Sequence, residues 1–374
     1  MATSGSRLRV LGAVLALAAA ALVPASAAVH RQRHWCKARS SAAWRRVLRR
    51  HVLPLSRRVS LDPWALAHDG RSFFATVYSP AFSGVARIDA PTGRPTEIRA
   101  FPDPAETQAD GAFDGRWLVW DEYHGFDSFD DFTVWAWDSR TGAVRQIGAA
   151  TRDSQGQHWP SPWREADVRG GIATWAQGSG PDQLTEVHAY DLRAREDRVV
   201  RSGHAQGSFL LRNHVVAWPE SPSPGTATRM YAASAVTGAT LATPVALRAL
   251  SGVSGLATDG GRIAYPDGLY RSLWWAPSLS VKPRRIVTTK HDYDHVDNSV
   301  QIGGRYIGFG IQPRVFVGDT RTRRYVQITA HGGWTRIDGS SLLVLYATGS
   351  KALDARSPIA FVRLRDLPPI PACT

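Results

Sequence analysis

The feature that most constrains the fold of this 374-residue chain is a tight turn that recurs along it. Each copy contains a glycine or an asparagine, residues that accept the left-handed backbone of short hairpins. The seven copies are Asp69-Gly70, Asp114-Gly115, Gly170-Gly171, Asn213-His214, Gly260-Gly261, Gly303-Gly304 and Asp338-Gly339. Their spacing of about 36 to 55 residues suits a four-stranded unit that repeats along the chain.

A short hydrophobic strand follows most of these turns and carries an aromatic residue. Five units place it five residues after one member of the turn, as Trp120, Trp175, Trp218, Tyr265 and Phe309. The last unit has Tyr346 at a longer spacing, and the first has Ala75 instead. A second turn recurs as Asp89…Thr92-Gly93, Asp138…Thr141-Gly142 and Thr237-Gly238, with Asp319…Thr322 as a weaker copy.

One unit is complete between Ala109 and Ile147, where four short strands alternate with the two kinds of turn. Repetition of four-stranded units predicts an all-β chain folded as a β-propeller. Seven turns favour seven blades, and six blades are the alternative if the weak first or last unit does not form one.

The two ends of the chain are expected to close the ring. The last unit contains only three strands, at Gly333–Ile337, Leu342–Tyr346 and Ile359–Leu364, before a proline-rich end. The segment Leu53–Leu61 is therefore predicted to supply the fourth strand of the last blade. Cys36 and Cys373 flank these two pieces and are predicted to form a disulfide, with two free thiols as the alternative.

The first 28 residues have the pattern of a secretory signal peptide. Arg7 and Arg9 precede the apolar run Val10–Leu22, and Ala25-Ser26-Ala27 offers small residues for cleavage. The apolar run is short for a membrane span, and an uncleaved anchor is the alternative. We therefore divide the chain into a signal peptide (1–28), a basic arm (29–61) and a propeller (62–374), and expect a secreted protein.

The net charge of +13 is concentrated in the arm, which holds ten basic residues and no acidic residue. The remainder is nearly neutral, which argues against nucleic acid as a partner. Within the arm, a helix is predicted from Ala42 to Val52 with Ser41 as its cap. Its two faces differ: Trp44, Val47, Leu48 and Val52 are apolar, whereas the other carries Arg45, Arg46, Arg49 and Arg50.

Two interpretations of this helix remain open. Its arginines could contact an anionic envelope surface, as amphipathic helices do. Alternatively, the apolar stripe packs on the propeller while the arginines stay in water, and the sequence favours this interpretation.

The longer loops should share one face of the ring, because the tight turns occupy the other. Loops on a rigid ring are where binding sites are expected. The candidate ligand-binding residues of this long-loop face are histidines, tryptophans and one aspartate: His124, His158, Trp159, Trp163, His204, His291, Asp294, His295, His331 and Trp334.

Two clusters could bind a metal ion, although a solvated polar loop is the simpler interpretation of each. The first contains His291, Asp292, Asp294 and His295, followed by Asp297, but its spacing matches no known metal motif. The second is the acidic run Asp121, Glu122, Asp127, Asp130 and Asp131, which lacks the ordered ligand alternation of a calcium loop.

The hairpins, the aromatic strands and the Asp-x-x-Thr-Gly turns resemble those of secreted bacterial TolB-like and WD-repeat-like β-propellers. The resemblance implies architecture and says little about activity. The chain also lacks a Gly-x-Ser-x-Gly elbow, a His-Glu-x-x-His motif and a phosphate-binding loop.

We hypothesise an exported, non-enzymatic scaffold that binds a protein, a peptide or a cell-surface glycan through its long-loop face. The alternative is an extracellular hydrolase or polysaccharide lyase that uses His158, His291, Asp294 or His295. We expect a monomer without a cofactor.

Overall fold

The computed structural model describes most of the chain after Arg33. The described ranges are 34–39, 41–56, 58–105, 107–125, 130–162, 166–221, 228–250, 255–289, 294–297, 299–347 and 357–373. The predicted signal peptide lies outside them. No helix of the described part is long and apolar enough to cross a membrane.

Seven sheets of consecutive antiparallel strands follow one another along the chain. The first two are β2 (Ser60–Leu66), β3 (Ser72–Tyr78), β4 (Ser83–Asp89) and β5 (Arg94–Ala100), then β6 (Thr107–Phe113), β7 (Trp117–His124), β8 (Phe132–Asp138) and β9 (Val144–Ala149). The next two are β10 (Asp167–Arg169), β11 (Ile172–Gly180), β12 (Leu184–Asp191) and β13 (Glu196–Gly203), then β14 (Phe209–Leu211), β15 (Val215–Glu220), β16 (Arg229–Ser234) and β17 (Thr240–Leu241).

The fifth and sixth sheets are β18 (Ala257–Thr258), β19 (Ile263–Pro266), β20 (Ser272–Ala276) and β21 (Arg284–Thr288), then β22 (Gln301–Gly303), β23 (Tyr306–Ile311), β24 (Arg314–Asp319) and β25 (Arg324–Thr329). The seventh contains β26 (Gly333–Ile337), β27 (Ser341–Tyr346) and β28 (Ile359–Arg363). Two 3₁₀ turns lie at Arg212–His214 and Leu364–Asp366.

The first strand of each sheet contacts the first strands of its two neighbours, and β26 contacts β2. The sheets therefore form a closed ring, and the prediction of an all-β propeller with seven blades is confirmed. All seven predicted turn pairs connect the first strand of a blade to its second.

The recurring aromatic residues pack between neighbouring blades. Trp120 lies in a buried cluster with Phe74 and Val85 of the preceding blade. The ring of Trp175 packs on Gly148, in the last strand of the preceding blade. A Cβ atom added at Gly148 would lie only 2.7 Å from this ring. The core is thus divided among the gaps between blades, and the aromatic residue on the second strand helps to fill the gaps before the second and third blades.

A carboxylate or amide two residues after the tryptophan accepts its indole N–H in three successive blades. Trp120 donates to Glu122 Oε1, Trp175 to Gln177 Oε1 and Trp218 to Glu220 Oε2, each at 2.9 Å. In two of these blades an arginine from the preceding blade also donates to the carboxylate. These arginines are Arg99, which binds Glu122 at 2.8 Å, and Arg201, which binds Glu220.

The closing strand lies earlier in the sequence than predicted. The N–H of Leu53 donates to the carbonyl of Ile359 at 2.8 Å, and the N–H of Phe361 donates to His51 at 3.1 Å. His51–Leu53, rather than Leu53–Leu61, therefore pairs with β28. Pro54 has no N–H to continue this pairing.

The predicted helix forms α1 (Ala42–Arg50) and ends two residues early, because Val52 bridges to Ala360 of β28. Ser41 occupies the N-cap position, but its side chain makes no capping hydrogen bond. Trp44 and Leu48 are buried against the outer edges of the last two blades. The apolar stripe therefore packs on the propeller, as the sequence favoured.

The disulfide between Cys36 and Cys373 is present and joins residues whose Cα atoms are 5.9 Å apart. Cys36 lies in β1 (Cys36–Lys37), which pairs in parallel with β25 of the sixth blade. Cys373 follows the seventh blade, so the disulfide ties the two ends of the chain together across the sixth and seventh blades.

Candidate functional site

The first strands of the seven blades surround a central channel with a cavity volume of about 950 Å³. Because the seven tight turns lie at one end of the blades, the channel has a tight-turn end and a long-loop end. Among the described residues that line it there are seven aspartates and only three arginines. The channel is therefore acidic, whereas the body of the protein is nearly neutral.

The strand register brings three of these carboxylates and one tryptophan to the same height. In three blades, a residue of the first strand pairs with the residue six positions after the turn glycine. The pairs are Asp62 with Thr76, Asp110 with Asp121, and Trp334 with Leu345. The N–H of Asp297 donates to Gly310, which has the same offset from Gly304. We call Asp62, Asp110, Asp297 and Trp334 the channel ring.

Arg336 is the described cation nearest to the channel ring. Its guanidinium lies 3.6 Å from the carboxylate of Asp110 and 4.9 Å from the centre of the Trp334 ring. Its Nε also donates to the backbone carbonyl of Trp64 at 3.0 Å. Arg336 therefore reaches from the seventh blade across the first to the second, and it covers one side of Trp334.

The surroundings of Asp62 and Asp297 are polar. Burial raises the pKa of Tyr78 to about 12, and the nearby Asp62 carboxylate adds to the increase. The Tyr78 hydroxyl donates to the carbonyl of Thr107 at 2.9 Å. Asp297 accepts the N–H of Ser299 at 2.5 Å.

The aspartates at the tight-turn end serve the turns themselves. Asp114 accepts the N–H groups of Arg116 and Trp117 within its own turn, and that of Gly171 in the next blade at 2.9 Å. Asp338 accepts two N–H groups of its own turn in the same way. These carboxylates are each used in several hydrogen bonds that shape the backbone of the tight turns, whereas the channel ring lies at the other end of the channel.

The predicted residues that the structure describes all belong to the long-loop face. His124 ends β7, while His158, Trp159, His204, Asp294, His295 and His331 lie in connections between blades, and Trp334 belongs to the channel ring. Trp163, His291 and Asp292 lie outside the described residues. The predicted residues are spread around the rim and do not form one cluster.

One group of rim residues does come together, on the second blade. The N–H of His124 donates to the carbonyl of Asp131 at 2.9 Å, and Nε2 of His158 lies 3.4 Å from the Asp131 carboxylate. Trp159 follows directly, and its N–H donates to Thr151 at 3.1 Å. These contacts fix the loop beside the channel entrance.

The other rim residues are held separately. Asp294 forms an ion pair with Arg314 at 2.9 Å, and His295 is exposed beside it. Nδ1 of His204 lies 3.3 Å from the carbonyl of Gln183, and His331 is exposed in a turn.

A metal site is not apparent in the part of the chain that the structure describes, where no three His, Cys, Asp or Glu side chains are grouped to hold an ion. Within the acidic run, Asp121 and Glu122 are buried in β7. Asp121 accepts the N–H of Ala166 at 2.7 Å, and Glu122 binds Trp120 and Arg99. The channel-ring carboxylates are likewise too dispersed to share one cation.

Sequence reasoning missed Asp62, Asp110 and Arg336, and it identified Asp297 only as a neighbour of a metal cluster. Their position in the repeat could have identified them as channel residues, because each lies in or just before the first strand of a unit. In a propeller those strands line the channel, so their polar residues face the cavity rather than bulk solvent.

Comparisons with known proteins support the architecture. No family model matches the chain, and no curated protein matches it. The β-propeller domain of the Trilobed protease from Pyrococcus furiosus, described as having an open velcro topology, is similar with 11% identity and a TM-score of 0.52 over 82% of this chain and 94% of that one. PorZ, a bacterial surface component of the type-IX secretion system of Porphyromonas gingivalis, gives 12% identity and 0.51 over 84% of this chain, but only 38% of PorZ is covered.

TolB from Acinetobacter baumannii is also similar, with 11% identity and a TM-score of 0.37 over 71% of this chain and 62% of TolB. At these identities the likeness to the protease domain and to PorZ, whose TM-scores are above 0.5, shows the fold alone. The chain is therefore a β-propeller, and membership of a particular propeller family is not shown.

Proposed function

We propose that this protein is an exported binding scaffold, and that its ligand is a basic peptide segment that enters the channel from the long-loop face. The observation that carries the proposal is the acidic channel of about 950 Å³ with the channel ring near its long-loop end. A cavity of this volume is within the range of small-ligand sites, and propeller loops supply further contacts around it.

The charge of the lining favours a cation. Seven aspartates against three arginines leave the described lining with four more carboxylates than guanidinium groups. Clefts lined by one sign of charge concentrate ligands of the opposite sign. Because the carboxylates are dispersed over several blades, a chain with several ammonium or guanidinium groups fits them better than one metal ion.

The aromatic residues favour a peptide over a neutral sugar. A sugar-binding platform needs an open aromatic face, but the guanidinium of Arg336 covers one side of Trp334 at 4.9 Å. Trp64, the other tryptophan of the lining, is buried and stacks on Phe74 with 6.4 Å between the ring centres.

Export is supported by two observations. The disulfide between Cys36 and Cys373 is typical of oxidising compartments. The sequence of residues 1–28 has the pattern of a signal peptide.

The test removes two negative charges from the channel ring without changing the size of the side chains. We expect the wild-type protein to bind an eight-residue lysine peptide, and an eight-residue glutamate peptide to remain unbound. The double variant Asp62→Asn/Asp297→Asn should weaken lysine-peptide binding at least tenfold, measured by isothermal titration calorimetry. The matched control Glu97→Gln/Glu196→Gln removes two exposed carboxylates from outer strands and should change the Kd less than twofold.

Equal weakening in both variants would show that only the overall charge matters and would contradict a channel site. The enzymatic alternative is tested on the same preparation, by metal analysis and by turnover assays on wall glycans before and after chelation. Turnover that is lost when His158 is replaced by alanine would overturn the non-enzymatic scaffold.

A further inference from the structure

We infer that the exposed face of α1 is a second binding surface, and that its partner is a linear phosphodiester polymer of the cell envelope. The surface consists of Arg45, Arg46, Arg49 and Arg50, and we call it the arginine face. It lies on the outer edge of the last two blades, away from the channel, so it is independent of the function proposed above.

The arginine face is held rigidly by the propeller. Trp44 is fully buried and packs edge-on against Tyr306, with 6.4 Å between the ring centres. Leu48 is also buried, and the chain is fixed on both sides of the helix by the disulfide and by the His51–Leu53 pairing. The four guanidinium groups therefore project from a fixed backbone.

Arg49 and Arg50 lie in the last turn of α1, where cations interact favourably with the helix dipole, but this does not account for Arg45 and Arg46. All four side chains are exposed, and none forms an ion pair with a residue that the structure describes. Arg45 and Arg49, and likewise Arg46 and Arg50, are four residues apart on one helix, where like charges destabilise the helix. An anionic partner would remove this repulsion.

The burial of the apolar stripe decides which anionic partner fits. A helix that binds a lipid surface inserts its apolar face among the acyl chains. Here Trp44 and Leu48 of that face are buried by the propeller and Val47 is half-buried, so α1 itself offers charge and little apolar surface for insertion. A phosphate-bearing chain needs only charge and hydrogen-bond donors, and guanidinium groups bind phosphate oxygens in pairs.

The test measures binding of the purified chain to poly(glycerol phosphate) at 50 and 200 mM salt. We expect wild-type affinity to fall steeply with salt, as for other phosphate polymers. The variant Arg45→Gln/Arg46→Gln/Arg49→Gln/Arg50→Gln should bind at least tenfold more weakly and with less salt dependence. It should melt close to the wild type, because the relief of repulsion offsets the lost interaction of Arg49 and Arg50 with the helix C-terminus.

The control removes the same number of charges from exposed positions on three other blades: Arg94→Gln/Arg198→Gln/Arg284→Gln/Arg285→Gln. It should change the affinity less than twofold. Replacement of the four α1 arginines by lysine should retain only part of the binding, because the charge is kept but the paired guanidinium–phosphate hydrogen bonds are lost.

Two results would overturn the inference. One is an equal loss of affinity in the control, which would mean that net charge alone drives binding. The other is binding to vesicles of anionic phosphatidylglycerol in preference to the polymer, which would assign the arginine face to a membrane surface.

Discussion

At the scale of single residues, the tryptophan-carboxylate pairs explain why acidic groups are tolerated between blades. Glu122 is fully buried, and its Oε1 accepts hydrogen bonds from both Trp120 and Arg99. Gln177 accepts the indole N–H of Trp175 in the next blade without any charge. The position two residues after the tryptophan therefore requires only a hydrogen-bond acceptor for the indole N–H, and a charge is not needed.

This comparison predicts two different outcomes at Glu122. Glu122→Ala should lower the free energy of unfolding by about 3 kcal/mol, because it leaves Arg99 without its buried partner and the indole N–H without an acceptor. Glu122→Gln should cost about 1 kcal/mol, because the acceptor is kept. Urea denaturation measures both, with the exposed Glu97→Ala as control. Equal losses in the two variants would contradict this account.

The sequence revealed the tryptophans at this scale but not their partners. The aromatic recurs at a fixed offset from five of the turns, whereas the residue two positions later changes from Glu or Gln to Asp267 in the fifth blade and Ile311 in the sixth. The same limit applies to the channel ring. Asp62 and Asp297 line the same channel only because the ring of blades closes, and no local sequence pattern encodes that closure.

At the scale of elements, the turns carry the most regular signal in the chain, and their chemistry is visible in Asp138. Its carboxylate accepts a hydrogen bond from Arg116 at 2.6 Å and the backbone N–H of Arg140 at 3.0 Å. The hydrogen bond from Arg116 lowers the pKa of Asp138 to about 2, although burial opposes the shift. The bend between the third and fourth strands is thus stabilised by an ionised carboxylate.

Stability should therefore depend on pH through this turn. The folded pKa of Asp138 is about 2, below the ordinary value near 4 for an unfolded chain. Its stabilisation is complete above about pH 4 and is lost as the pH falls towards 2. We expect Asp138→Asn to be less stable than the wild type at pH 7, with a difference that shrinks by pH 2.5 in urea denaturation. A constant difference would contradict the charged hydrogen bond.

The turn signal also explains what sequence reasoning got right and wrong about whole elements. Turn residues are chosen locally for their backbone, so all seven pairs were found from Gly and Asn. The position of the closing strand is set instead by a distant partner, Ile359–Arg363. It is also limited by the start of the innermost strand, Ser60–Leu66. The segment was therefore placed a few residues too late.

At the scale of the whole molecule, the disulfide links residues separated by 337 positions. Cross-linking so long a loop restricts the unfolded chain strongly. Cys36→Ser/Cys373→Ser should lower the free energy of unfolding by up to about 6 kcal/mol, an upper value in the chain-entropy account. Chemical denaturation of the variant and of the reduced wild type should give the same value. An unchanged stability would show that strand pairing alone secures the ends.

The pairing of His51–Leu53 with β28 also has a consequence during synthesis. The ribosome makes the closing strand first and its partner last, with nearly the entire propeller between them. Until Ile359–Arg363 has been synthesised, the ring of blades cannot close. During that time His51–Leu53 lacks the strand with which it pairs in the folded protein. A chain that stops before that segment would keep six finished blades, and its arm could contact the sixth of them through β25 but not β28 of the seventh.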